Sequence, residues 1–395
     1  MHRVAALLTL AAAVAVAPAG SAPAHLPTSN GWIVFASDRT PLPYSSYRLY
    51  RLDPVGAKVS PLGTLAGVAP AWSPDGSRIA FSDRRQRLIV TNADGTNARR
   101  LTNRPILAEE PSWSPDGSRI VFQHAIARGG RDRDLAIINA DGSGLREITR
   151  GPHGDRQPSW SPDGSLIAFT TDRGSVRRFA VRDEIYVVRP DGGGLRALTS
   201  NDFGDVAPAW SPDGSLIAFS SGREPGGFLA LWTMRRNGMG QHRVEPSMHD
   251  LPPWSEHSPS WSPDGNWLTF ASSEAVYADD VYIVRPGGQD KIDLTPGTHS
   301  HDFDPAWQPV CSHTGTSGDD VLRGAATDDR LCGLAGNDTI RGGAGRDGLY
   351  GGDGADTLVS SDGSFDVVGC GLGRDTVFAD RVDLIGVDCE RVRRP

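Results

Sequence analysis

Five aspartates recur at nine-residue intervals near the C-terminal end of the chain: Asp320, Asp329, Asp338, Asp347 and Asp356. Each nonapeptide opens on glycine (Gly315, Gly324, Gly333, Gly342, Gly351) and carries Leu or Ile two residues after its aspartate (Leu322, Leu331, Ile340, Leu349, Leu358). Carboxylates set in glycine-rich backbone, whose carbonyls can turn toward an ion, form the oxygen-ligand set that a hard divalent cation takes. A flexible Gly/Asp linker has no reason to hold an apolar residue at one fixed phase, so the segment is expected to fold. A second set of chemistry-bearing residues lies upstream, around and ahead of a recurring Pro-x-Trp: Glu110, His153, Asp155, Asp205, His257, His299, His301 and Asp304. Histidine and carboxylate together can hold a divalent metal, and His299-x-His301 with its neighbouring aspartates is the densest such stretch. Solvated loop residues that cap turns or pair with arginine would look the same in sequence.

The aspartate beat resembles the RTX, or haemolysin-type, calcium-binding repeat Gly-Gly-x-Gly-x-Asp-x-apolar-x. The resemblance implies a small parallel β-roll in which two nonapeptides make one coil, the apolar position fills a narrow core and the ion is calcium. Alternate aspartates should then stack, with Asp320, Asp338 and Asp356 along one edge and Asp329 and Asp347 along the other. Asp319, Asp328 and Asn337, one position earlier, complete the ligand set that the resemblance implies. Past a one-residue insertion the beat resumes as Asp366 with Val368 and Asp375 with Val377. The stretch from Cys370 to Cys389 resembles the capping ends of such rolls. The four cysteines, Cys311, Cys332, Cys370 and Cys389, read as two disulfides in an exported chain, with neighbour pairing the simplest of three connectivities.

What positions the upstream set is a second repeat. Trp72-Ser73-Pro74-Asp75-Gly76 returns as Trp113–Gly117, Trp160–Gly164, Trp210–Gly214 and Trp261–Gly265, with a worn copy at Trp307-Gln308-Pro309. Around each copy stand four runs of strand length, so six units predict a six-bladed β-propeller. The chain enters the repeat at its second strand type, near Trp32, and leaves on the first. The Asp304–Gln308 strand should therefore complete the blade that residues 31–64 begin. Ser-Pro-Asp-Gly is turn chemistry, which makes Asp75, Asp116, Asp163, Asp213 and Asp264 turn residues and not a chelating set. The longer, heterogeneous loops emerge on the opposite face and bring the histidines and carboxylates there. The frame Pro-x-Trp-Ser-Pro-Asp-Gly-x-x-Ile-Ala-Phe resembles the TolB-type propeller over residues 31–309, which implies a binding platform of the cell envelope. A resemblance to propeller-type oligogalacturonate lyases, which use histidines and a metal on such a face, implies an enzymatic alternative.

Arg3 followed by the apolar run Val4–Val16 and small residues up to Ala24 predicts a signal peptide over residues 1–24. The run is too short for a spanning helix, so no transmembrane segment is expected after cleavage. The net charge of −8 is concentrated in the tail, where 15 Asp and Glu face 9 Arg from Gly315 onward. The balanced remainder excludes a basic nucleic-acid-binding face. No Gly-x-Ser-x-Gly elbow occurs. The expectation is an all-β chain: signal peptide 1–24, six-bladed propeller 25–310, and β-roll 311–395 with a disulfide-closed cap. Its expected role is a secreted calcium-binding, non-catalytic platform for a protein or polysaccharide ligand. A metal-dependent polysaccharide lyase or hydrolase and a structural envelope component are the alternatives.

Overall fold

The computed structural model describes residues 31–39, 47–55, 58–103, 105–126, 133–173, 183–223, 228–244, 255–275, 278–297 and 300–395. The expected signal peptide and His299 lie outside the described residues. Among the described residues every regular element is a strand, and no helix is long and apolar enough to cross a membrane.

The strands form two bodies of different logic. Residues 31–307 make antiparallel sheets arranged as a propeller. In each repeat a strand ending on the tryptophan pairs with the apolar strand that follows it, as in Asp155–Trp160 against Ile167–Thr171 and Asp205–Trp210 against Leu216–Ser221. The last such strand, Asp302–Trp307, pairs with the first, Ile33–Ser37, in the register Ile33↔Trp307 and Ser37↔Asp302. The ring therefore closes where the strand order in the sequence places it.

The pairing gives four separate four-stranded sheets and one seven-stranded sheet, where the repeat predicts six separate units. The difference comes from one 15-residue strand, Lys58–Trp72. Its first part pairs with Arg48–Asp53 and its second with Arg78–Asp83. No turn interrupts it, so two neighbouring sheets run together through a shared strand.

The tryptophans lie between sheets. Trp160 packs with Val121, Leu135 and Ile137 of the preceding sheet and with Ile167, Phe169 and Val188 of its own. Trp210 and Trp261 repeat this arrangement in the next two sheets. The indole N–H groups of Trp72, Trp113 and Trp261 donate to carbonyls of the strand before, Ala306, Ala71 and Ala209, at 3.2, 3.2 and 3.1 Å. These three wedges are thus apolar in body and satisfied at the polar tip, whereas the buried indole N–H groups of Trp210 and Trp307 have no partner.

The Ser-Pro-Asp-Gly turns are self-contained. In every copy the serine hydroxyl donates to the aspartate Oδ1, from 2.5 Å in Ser73–Asp75 to 2.6 Å in Ser161–Asp163. Burial raises the Asp163 carboxyl, and hydrogen bonds from Ser161, Ser165 and Arg236 outweigh it, so the pKa falls to about 2. With its oxygens committed to the turn, Asp163→Ala is expected to leave the calcium stoichiometry of the chain unchanged, as measured by isothermal titration. A lost calcium equivalent would give these turns a role in metal binding.

The C-terminal body is a parallel β-roll. Its two five-stranded parallel sheets take alternate strands, and the register Leu331↔Leu349↔Val368 steps up one coil at a time. Leu331, Ile340, Leu349, Leu358, Val368 and Val377 fill the core, so the apolar phase is the core phase. Disulfides join Cys311 to Cys332 and Cys370 to Cys389.

The roll packs on the face of the Ser-Pro-Asp-Gly turns. Tyr350 Oη donates to Pro115 O at 3.0 Å, and Val387 N–H donates to Ser118 Oγ at 3.4 Å. A Cβ on Gly369 would lie 2.1 Å from Asp116 O, and one on Gly164 would lie 2.6 Å from Leu384 Cδ2. The contacts span three neighbouring turns. Near the first of them Gln308 Nε2 donates to Gly76 O at 2.9 Å, and Cys311 Sγ lies 3.6 Å from Asp75 O. Tyr350→Phe is expected to cost about 1 kcal/mol by leaving Pro115 O without its donor. Differential scanning calorimetry reads this as a lower midpoint for the roll, and an unchanged midpoint would mean that the contact contributes nothing.

Candidate metal centre

Each coil of the roll presents its sixth-position aspartate to the coil before it. Asp338 Oδ1 accepts the N–H of Asp320, Asp356 Oδ1 that of Asp338, and Asp375 Oδ1 that of Asp356, each at 2.8 Å. On the other edge Asp347 Oδ1 accepts from Asp329 N–H and Asp366 Oδ1 from Asp347 N–H, again at 2.8 Å. The second oxygen of each ladder residue has a different fate. Oδ2 of Asp338, Asp347, Asp356, Asp366 and Asp375 is buried and has no hydrogen-bond partner. A buried, unpartnered carboxylate oxygen is costly unless something positive meets it.

The backbone around these oxygens is cut to fit. A Cβ on Gly342 or Gly351 would lie 2.4 Å from Oδ2 of Asp347 or Asp356. Only glycine at the head of the nonapeptide leaves room for that oxygen. Burial, reinforced by like charges along the ladder, raises every one of these carboxyls. Asp356 and Asp375 rise to about 6 and Asp366 to about 7, while Asp338 and Asp347 shift the same way. Oxygen ligands of full or growing charge, enclosed by glycine backbone, fit a calcium ion.

Asp320 and Asp329 stand at the start of the two ladders, and their Oδ2 atoms are engaged by N–H groups of Thr316 and Ala325. Asp319, Asp328 and Asn337 form a different ladder on the exposed surface. Their oxygens accept N–H groups of Asn337, Arg346 and Ala355, which ties coil to coil outside the enclosed pockets. The ladders also run past the five regular repeats. Asp366 leads on to Asp383, whose Oδ1 accepts the Asp366 N–H at 3.1 Å, and Glu390 accepts that of Asp375 at 2.8 Å. Asp383 and Glu390 escape the nine-residue count, yet Ile385 and Val392 two residues later keep the apolar phase and mark them.

The upstream residues divide into three groups. In each tryptophan-bearing strand the residue before proline has left-handed backbone: Ala69, Glu110, Gln157, Ala207, Ser258 and Asp304, with φ of 51 to 54°. The register shifts at the same point, a β-bulge where proline has no N–H to offer the ladder. The bulged side chains reach the next strand around the ring. Glu110 Oε2 accepts Gln157 N–H at 2.8 Å, and Asp304 Oδ2 accepts Ala69 N–H at 3.2 Å. Burial and the charge of Asp304 push Glu110 up to about 7, and burial raises Asp304.

Asp155 and Asp205 belong to the second group and are not on the variable face. Both are fully buried, and they pair with Arg173 and Arg223 and accept hydroxyls of Thr171 and Ser221 at 2.6 Å. Structural ion pairs of this kind are fixed beneath the loops. The third group reaches that face. His257 Nε2 and His301 Nδ1 contact the two oxygens of Asp279 at 3.5 and 3.1 Å. Their hydrogen bonds hold the Asp279 carboxyl below its ordinary range. His153 Nδ1 lies 3.3 Å from Asp172 Oδ1. Asp279, which joins the two histidines, follows no repeated motif and is absent from the set read in sequence.

Comparison with known proteins agrees with both bodies. Residues 30–179 match the TolB beta propeller domain, and residues 314–340 and 333–364 match the RTX calcium-binding nonapeptide repeat. No curated protein matches the chain. Among solved structures, TolB from Acinetobacter baumannii is 21% identical with a TM-score of 0.57, over 70% of this chain and 66% of that one. A putative TolB from Agrobacterium tumefaciens is 20% identical with a TM-score of 0.52, over 71% of this chain and 100% of that one. Kuenenia stuttgartiensis hydrazine synthase is 15% identical with a TM-score of 0.58, over 71% of this chain and 47% of that one. At these identities the likeness is one of fold, and fold alone does not carry function. The chain carries a TolB-type propeller domain followed by RTX calcium-binding nonapeptide repeats.

Proposed function

We propose that this protein is a secreted, non-catalytic binding platform whose propeller presents its variable face to a protein or polysaccharide ligand outside the cell or at the envelope, with a roll that calcium completes. The observation that carries the reading is the file of buried carboxylate oxygens without partners along both edges of the roll. Calcium would supply the positive charge that these oxygens face, and Asp338, Asp347, Asp356, Asp366 and Asp375 would hold it, with Asp320 and Asp329 at the open end. Two disulfides in a chain with a signal-like N-terminus fit an oxidising, calcium-rich exterior. The propeller has six blades in this reading. Six inter-sheet cores, each with one repeat tryptophan, support that count even though two sheets share a strand. The domains are residues 25–310 and 311–395, after a signal peptide of residues 1–24.

Because the roll occupies turns on one face, the ligand is assigned to the other. His153, His257 and His301, with Asp279, are the side chains offered there, while Glu110 and Asp304 tie neighbouring strands beneath them. Calcium titration of the full chain by isothermal calorimetry tests the central claim. Binding in the range of roughly 10⁻⁴ to 10⁻³ M, usual for extracellular modules, is expected. A chain that takes up no calcium at millimolar concentration would overturn it.

A further inference from the structure

The one-residue insertion that breaks the nonapeptide beat falls between Asp356 and Asp366, and it delivers a carboxylate. In the segment Ser361-Asp362-Gly363-Ser364 the chain turns, with Gly363 at φ 94°, and Asp362 Oδ1 caps the turn by accepting Ser364 N–H at 2.7 Å. Ligand oxygens of Asp362, Asp347 and Asp366 all lie within 4.8 Å of one another. Two of the three residues are enclosed: Asp347 is 2% and Asp366 0% exposed, and the Oδ2 of each has no partner. Their Oδ1 atoms are already spent on backbone N–H groups at 2.8 Å. Two enclosed carboxylates, each with an unpartnered oxygen, thus stand beside the exposed Asp362.

We propose that Asp347, Asp362 and Asp366 form a calcium site distinct from the others of the roll, with Asp362 a ligand from outside the repeat motif. The inference rests on the roll being calcium-binding and names the pocket that fills first. Oxygens on opposite sides of one calcium ion lie up to about 5 Å apart, given Ca–O distances of about 2.3–2.6 Å, so one ion can span all three carboxylates. Among the described residues the opposite edge, Asp338, Asp356 and Asp375, gathers no third carboxylate at this distance. Three negative ligands against fewer elsewhere make this the tightest pocket. It is also placed to order the C-terminal half of the roll, since Asp366 N–H is tied to Asp383 in the next coil.

The test is calorimetric titration of decalcified full-length protein with calcium chloride, comparing wild type, Asp362→Asn and Asp353→Asn. Asp353 is exposed and is not one of the carboxylates gathered there, so its variant removes the same charge from the surface of the roll. Wild type should show one calcium bound before the rest. In Asp362→Asn that step should weaken by about tenfold or more, as loss of a unit charge in direct contact with a divalent ion requires, while the later steps and Asp353→Asn stay within about twofold of wild type. Equal titration curves for Asp362→Asn and wild type, or equal effects of the two variants, would overturn the site while leaving the calcium roll intact. A wild-type protein that binds no calcium would overturn the roll reading itself.

Discussion

Removing calcium at pH 7.5 is expected to melt the roll well before the propeller, and acidifying the calcium-free protein to about pH 5 is expected to restore much of its stability. The reasoning starts from the ladder carboxyls. Burial holds Asp356 and Asp375 at about 6 and Asp366 at about 7, against an unfolded value near 3.9. An acid whose folded pKa is raised binds its proton more tightly in the folded state. Stability without the ion therefore falls as pH rises from about 4 through about 7, and is fully present only below that window. Calcium replaces the missing protons. At a concentration ten times its dissociation constant each site adds about 1.4 kcal/mol to the folded state, and the sites act together along two continuous ladders. With calcium the pH dependence reverses, because protons now compete with the ion. Calorimetry with and without chelator at pH 5 and 7.5 separates the two melting transitions. A roll whose midpoint ignores both calcium and pH would sink this account.

Trp160→Ala is expected to destabilise the propeller by about 3–5 kcal/mol, the usual cost of deleting a large buried aromatic side chain. Trp160 sits between two sheets in contact with apolar residues of both, its indole N–H donates to Gly164 O at 3.3 Å, and the Arg119 guanidinium lies 5.1 Å from its ring. Truncation opens a cavity that neither sheet can close alone. Urea unfolding followed by tryptophan fluorescence measures the loss, and a change below about 1 kcal/mol would mean that the sheets are held by something else. Trp210 and Trp261 occupy equivalent wedges and should respond alike.

Much of this architecture was legible because it repeats. The spacing of Trp-Ser-Pro-Asp-Gly announces the propeller, the order in which strand types begin and end gives the closure of Ile33–Ser37 on Asp302–Trp307, and the apolar residue two places after each aspartate gives the core of the roll. Three features were not legible, each for a physical reason. The shared strand Lys58–Trp72 lacks a turn signal because it lacks a turn. Asp155 and Asp205 read in sequence as carboxylates of the ligand face, but the backbone points them inward, and only Arg173 and Arg223, each eighteen residues later, betray the pairing. The roll's seat on three of the turns cannot be read from turns that share one sequence. It depends on Cys311 meeting Asp75, Tyr350 and Gly369 meeting Pro115 and Asp116, and Leu384 meeting Gly164.

The seam of the ring lies beside that seat. Trp32 N–H donates to Gln308 Oε1 at 3.2 Å, and the same glutamine side chain reaches Gly76, so the join between the two ends of the propeller is non-covalent and is clasped by one residue just ahead of Cys311. A ring closed only by strand pairing can reopen at its join, and the rate of that opening sets its lifetime. With the roll folded on the adjacent turns, the closing strand cannot peel away without carrying a disulfide-bonded body with it. The tail then acts as a latch on the join, and an ion held by the carboxylate ladders of the roll would tighten it.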